Sequence, residues 1–154
     1  MSLLGIDLGG TKLAIALFDD DGSLLHKKII PLENRKGDEV GRLITESYLE
    51  VSIMADSDTI QSIGVSVPGI YYHKKGSVWA PNIPGWDDYP LYDEMKKTTA
   101  NIPLAIDSDR ACYILGEAWQ GNAKECRDAI FLAVGTGIGA GILAGGNILR
   151  GSHD

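Results

Sequence analysis

Cysteine is scarce: only Cys112 and Cys126 occur in 154 residues. They have neither CxxC spacing nor a nearby His pair, which argues against a zinc site or a disulfide framework. Two ordinary thiols and no zinc are expected. Runs of Lys or Arg are missing, and the net charge is −7. A nucleic-acid footprint needs a basic face, so no such partner is expected. No apolar stretch reaches transmembrane length, and the N-terminus has no signal-peptide pattern. A cytoplasmic protein without a membrane partner is the expectation. Internal copies at solenoid period and low-complexity segments are also lacking. What is there is ordinary globular usage, 44% apolar and 23% charged. A chain of this size buries roughly 70% of its unfolded surface. The excess is in glycine, nineteen residues, and their placement matters more than their number.

Apolar patterning predicts strands at 4–8, 13–18 and 24–30, joined by short connections. Asp19-Asp20-Asp21-Gly22 signals a tight primed hairpin turn, because Asp-Gly supplies the positive backbone angles such a turn needs. Val40, Leu43, Ile44, Tyr48 and Val51 repeat at helical spacing, which predicts a helix over 38–54. Residues 60–67 alternate as a strand and end at Pro68-Gly69. The stretch 69–97 is broken by Pro81, Pro84 and Pro90 and reads as irregular until Leu91, where a helix begins. A short buried strand at 104–106 leads to a helix capped by Ser108 or Asp109 and closed near Gly121. Residues 129–134 form a strand, "GTGIGAG" a turn, and 142–149 a strand pair around Gly145-Gly146-Asn147.

Strand, glycine turn with a threonine, and strand recur at 6–18 and 131–143, which suggests two half-sites of one ligand. In "DLGGTK", a glycine turn lets backbone N–H groups approach an anion, and such nests bind phosphate. Thr11 adds a hydroxyl and Lys12 a positive charge. Asp7 can hold magnesium through water, since that ion takes carboxylate and phosphate oxygens together. A conformationally demanding hairpin turn explains the same residues, and the ordinary P-loop pattern is absent. "GTGIGA" at 135–140 formally matches a dinucleotide fingerprint. That motif must open a helix with an acid about 20 residues on, and here strands follow. A second phosphate loop or a plain glycine hairpin remains, and glycines are costly in strands if merely structural.

"AIDSDRACYILGEAW" ends a strand in acids, where ligands bind in open α/β sheets. Asp109 can take the proton of a hydroxyl nucleophile, as the catalytic Asp of kinases does. It is also a good helix cap, and on residue type alone the cap is favoured. Asp107 is the alternative base, and Glu117 reads as a helix-face acid. "VWAPNIPGW" sets Asn82 on a rigid loop beside aromatic rings, which suits a polyhydroxyl ligand. It is equally an ordinary loop whose Trp79 and Trp86 plug the core. His73, Lys74 and Lys75 read as a solvated hairpin tip.

Taken together, "GIDLGGTK", "VSVPGI", "APNIPGW", "SDRACYILGEAW", "VGTGIGAGI" and "NILRGSH" resemble, in order, the N-terminal half of the ROK family of sugar kinases and repressors. The resemblance implies an α/β, ribonuclease H-like fold of the actin/hexokinase-like ATPase superfamily, with a mixed sheet that begins with three antiparallel strands. It implies an ATP-dependent kinase acting on a hydroxyl of a hexose or N-acetylhexosamine, with ATP and magnesium. Asp109 would be the catalytic base. Asp7 would organise magnesium through water. Gly9, Gly10, Thr11, Lys12, Gly135, Thr136, Gly137 and Gly139 would meet the ATP phosphates. Gly69, Asn82, Ser108 and Asp109 would hold the sugar.

Residues 1–121 would form the N-terminal lobe and 122–154 the start of a second, nucleotide-binding lobe. The expected partners are a small sugar, a nucleotide, and a second copy through the second lobe. Repressors of the family carry a helix-turn-helix ahead of this domain. The first phosphate strand starts almost at Met1, so a kinase is expected over a sugar-sensing regulator. Where the family has Asn-Asp-Ala-Asn, this chain has Ser108-Asp109-Arg110-Ala111, which changes a sugar contact. The family's kinases are roughly twice this length, and a fragment of a longer protein is expected, since an isolated hairpin at 129–149 is marginal in water.

Overall fold

The computed structural model describes residues 1–55, 60–134 and 137–151. Three strands, β1 (Ser2–Leu8), β2 (Lys12–Asp19) and β3 (Leu24–Pro31), form an antiparallel meander. Helix α1 (Asp38–Ala55) leads to β4 (Ile60–Val67), which pairs in parallel with β1. A small hairpin, β5 (Ile70–Tyr72) and β6 (Ser77–Trp79), precedes α2 (Leu91–Thr99) and β7 (Leu104–Ser108). Strand β7 pairs in parallel with β4, closing a five-stranded sheet in the order β3-β2-β1-β4-β7. Helix α3 (Asp109–Gln120) starts where β7 ends. A separate sheet follows, built from β8 (Ala129–Val134), β9 (Ile138–Ala144) and β10 (Asn147–Ile148). This is the mixed α/β sheet the sequence pattern implies, with its antiparallel strands first.

Strict alternation decides which face of the large sheet is buried. Leu4, Ile6 and Leu8 of β1, and Leu13, Ile15 and Leu17 of β2, share one face with Ile63, Val65 and Ile106. They meet Val40, Ile44 and Val51 of α1, and Leu91 and Met95 of α2, in one core. The opposite face carries small residues: Gly5, Ala14, Ala16, Gly64 and Ala105. Alongside it runs a cavity of about 1260 Å³.

Four local details differ from the sequence expectation. The loop at 20–23 is not a two-residue primed turn. Only Gly22 takes positive φ there, at 90°, and the Asp19 carboxylate accepts from the Ser23 amide at 2.9 Å. The acid's hydrogen bond supplies closure that primed geometry would otherwise give. The stretch after Pro68 is ordered as the β5–β6 hairpin. Gly69 permits this, because a Cβ there would lie 2.0 Å from the Trp79 carbonyl oxygen. Of the two loop tryptophans only Trp86 plugs the core. It is 1% exposed, its indole N–H donates to Gly37 O at 3.1 Å, and its ring stacks on Tyr89, whereas Trp79 is 38% exposed. The glycine turn after β8 is also shorter than expected, since β9 already begins at Ile138.

Candidate active site

The strand ends β1, β4 and β7 and the first turn of α3 bring the predicted acids to one rim. Asp7 lies one residue before the end of β1, and its Oδ1 accepts from the Ser66 hydroxyl on β4 at 2.8 Å. Ser66 has no distinctive spacing, so only the parallel register of β1 and β4 reveals it. At the following turn the Gly9 amide donates to the Lys12 carbonyl at 2.8 Å, which closes the β1–β2 hairpin. Gly10 and Asn82 come together, with a Cβ on Gly10 falling 3.2 Å from the Cβ of Asn82. The first glycine turn and the Pro-Asn loop are therefore neighbours. That loop is held by backbone bonds from the Ala80 amide to Trp86 O and from the Trp86 amide to Ile83 O, which leaves Asn82 exposed.

Ser108, not Asp109, caps α3. Its backbone is extended (φ −64°, ψ 150°), and its hydroxyl oxygen accepts from the Ala111 amide at 3.4 Å. Asp109 is thereby released from capping. Its Oδ1 accepts from the Arg110 amide at 2.7 Å and from Arg110 Nε at 3.3 Å. Among the described residues nothing donates to Oδ2. Asp107, the alternative base, is engaged. Arg150 grips both of its oxygens, with Nη1 at 3.1 Å from Oδ1, and His73 Nε2 lies 2.8 Å from that same Nη1. The hairpin tip at 73–75 is exposed, as expected, but its histidine is not idle. His73 joins a cluster that ties β7 to the segment after β10, and neither His73 nor Arg150 carries a sequence signal for this contact.

Beneath the acids sits Cys112. Burial, then the charge of Asp107, pushes its thiol up to about 12. Glu117 does face along its helix, and its Oε2 accepts the Asn122 amide at 2.9 Å just past the helix end.

The second glycine run is only partly described. Gly135 and Thr136 lie outside the described residues. Gly137 is open, with no atom within 4 Å of where its Cβ would be, while Gly139 and Gly141 pack tightly on Arg110. Among the described residues no group of three or more His, Cys, Asp or Glu side chains gathers to hold a metal. One carboxylate beside a glycine turn is the donor set magnesium takes with phosphate and water, and Asp7 fits it. No helix among the described residues is long and apolar enough to cross a membrane.

Comparison with known sequences then matches the ROK family profile over residues 3–154. The chain belongs to the ROK family. It is 36% identical to a glucokinase of Thermotoga maritima over 98% of this chain and 47% of that protein. In structure it is similar to a ROK hexokinase from Thermus thermophilus, with a TM-score of 0.86 and 33% identity over 99% of this chain and 50% of that one. It is also similar to a ROK glucokinase from Streptomyces griseus in complex with glucose and AMPPNP, with a TM-score of 0.78 and 27% identity over 98% of this chain and 47% of that one. The ROK fold is that of the actin/hexokinase-like ATPases, and this chain spans about half the length of the ROK relatives it matches.

Proposed function

We propose that the rim forms one side of the active site of an ATP-dependent sugar kinase. The reaction transfers a phosphoryl group from Mg-ATP to a hydroxyl of a hexose or N-acetylhexosamine. The observation that carries this reading is the division of labour at the start of α3. Ser108 takes the capping role, Arg150 occupies Asp107, and Asp109 keeps an oxygen open. A base must be free to accept the proton of the hydroxyl it deprotonates, and the open oxygen of Asp109 supports it over Asp107 for that role.

In this assignment Gly9, Gly10, Thr11 and Lys12 meet the donor phosphates from one side. Gly135, Thr136, Gly137 and Gly139 meet them from the other. Asn82 and the backbone at Gly69 hold sugar hydroxyls, and Ser108 keeps its O–H for a further one. Asp7 holds magnesium through water, and bound magnesium neutralises charge on the donor. Residues 1–121 make the first lobe and 122–154 open the second, a division supported by the two separate sheets. A cytoplasmic homodimer completes the reading. Positioning and preorganised charge supply most of the rate in such transfers.

The test is Asp109→Asn in the protein at its native length. ADP formation with a sugar panel should fall by about 100- to 10,000-fold, while calorimetric sugar affinity stays within a few-fold. Near-normal turnover removes Asp109 as the base. Sugar binding without ADP formation by the unmodified protein assigns the site to a sugar-sensing module instead.

A further inference from the structure

Arg110 follows Asp109 directly in the first turn of α3, and its place in the fold is specific. Its Nε lies 3.3 Å from Asp109 Oδ1. Its side chain runs along β9, where a Cβ on Gly139 would fall 2.7 Å from Arg110 Cδ and 3.0 Å from Nε. At Gly141 a Cβ would fall 2.1 Å from the Arg110 carbonyl oxygen. Two glycines of β9 therefore let the first turn of α3, and this arginine's stem, lie flat on the strand.

A structural ion pair is an inadequate account of this arrangement. Arg110 and Asp109 are chain neighbours, with side chains 41% and 26% exposed, and such exposed pairs contribute only about 0–1 kcal/mol. The pair also uses Nε alone. Among the described residues no acceptor meets Nη1 or Nη2. Arg110 lines a cavity of about 260 Å³. Gly69 and Ser108, on the proposed sugar side, and Ala140 and Gly141 of β9 line it too. A planar guanidinium whose Nη donors meet no acceptor among the described residues suits the geometry of a phosphoryl group.

We propose that Arg110 binds the phosphoryl group in flight, an arginine supplied in cis beside the base. This rests on the kinase reading. In the step, the sugar hydroxyl gives its proton to Asp109 as its oxygen bonds to the γ-phosphorus. The bond from that phosphorus to the β,γ-bridging oxygen breaks, and ADP leaves with the electron pair. Arg110 keeps its protons and donates hydrogen bonds to the non-bridging oxygens. An anionic substituent on the sugar is the competing occupant. The contact with Gly139, next to the donor turn, and the tether to the base favour the phosphoryl group.

The experiment compares the unmodified protein at its native length with Arg110→Ala and Arg110→Lys. Arg110→Ala should lower kcat by about 100-fold or more and leave sugar KM within about three-fold, with Arg110→Lys partly restoring kcat because it keeps charge but loses the fork. Calorimetry should show AMPPNP affinity down by about ten-fold in Arg110→Ala while ADP affinity holds, a split that a purely structural residue would not produce. If the unmodified protein turns over and Arg110→Ala matches it, Arg110 has no such role and the kinase reading stands. A rise in sugar KM alone moves the cation to the sugar side and overturns the proposal. If the unmodified protein phosphorylates no sugar in the panel, both readings fall.

Discussion

The hairpins β1–β2 and β8–β9 are two versions of one local design with opposite fates. Both are rich in apolar residues and both turn on glycines. In the first, Leu4, Ile6, Leu8, Leu13 and Ile15 are at most 2% exposed. In the second, Ile130, Leu132, Val134 and Ile138 are 61–80% exposed. The period-two pattern fixes which side chains share a face, and it does so equally well in both. What covers that face depends on neighbours. The first hairpin gains α1, α2 and a parallel strand on one side. The second meets α3 with Phe131 and Ala133 and, among the described residues, leaves Ile130, Leu132 and Val134 exposed. An apolar strand therefore predicts a surface ready for burial, and the rest of the molecule decides whether it is buried.

The largest way to sharpen this contrast is a matched truncation. Ile15→Ala empties a fully buried site and should cost about 2–5 kcal/mol in urea unfolding. Leu132→Ala, at 61% exposure, should stay within about 0.5 kcal/mol. Equal losses would mean that the outer face of β8 is covered in solution. A smaller contrast lies in the glycines. Gly141→Ala forces a Cβ to 2.1 Å from the Arg110 carbonyl, whereas Gly5→Ala meets nothing nearer than 3.5 Å. The first should destabilise by about 1–3 kcal/mol and the second much less, read from thermal melts. The smallest effect separates the two residues that start α3, the helix that both sheets share. Ser108→Ala should cost about 1 kcal/mol as a lost cap, and Asp109→Ala less. The reverse order would return the capping role to Asp109.

Much of this fold is legible in the chain because its signals are local. Helical spacing from Val40 to Val51 and the alternation of Ile60 to Val67 are read directly, and both elements form. The β5–β6 hairpin is hidden because it depends on Gly69 approaching Trp79, a contact between residues ten apart that no short pattern encodes. The site divides in the same way. Asp7, Asn82 and Asp109 stand in motifs with chemical character. The cap was ambiguous from residue types, since Ser and Asp both cap helices, and backbone geometry at Ser108 settles it. Ser66 and Arg150 sit inside quoted motifs, but nothing local there, or at His73, announces the contacts they make. They act through register and tertiary approach, with Ser66 reaching Asp7 across paired strands and Arg150 reaching Asp107 across 43 positions.

The thiol of Cys112 has a consequence for chemical durability. A thiol pushed up to about 12 by burial and nearby carboxylates stays overwhelmingly protonated at neutral pH. Peroxides and disulfides react with the thiolate, not the thiol. Burial first, and the nearby acids second, thereby protect the sulfur beneath the rim. Oxidative damage should fall first on Cys126, which is exposed, and leave the floor of the acid cluster intact.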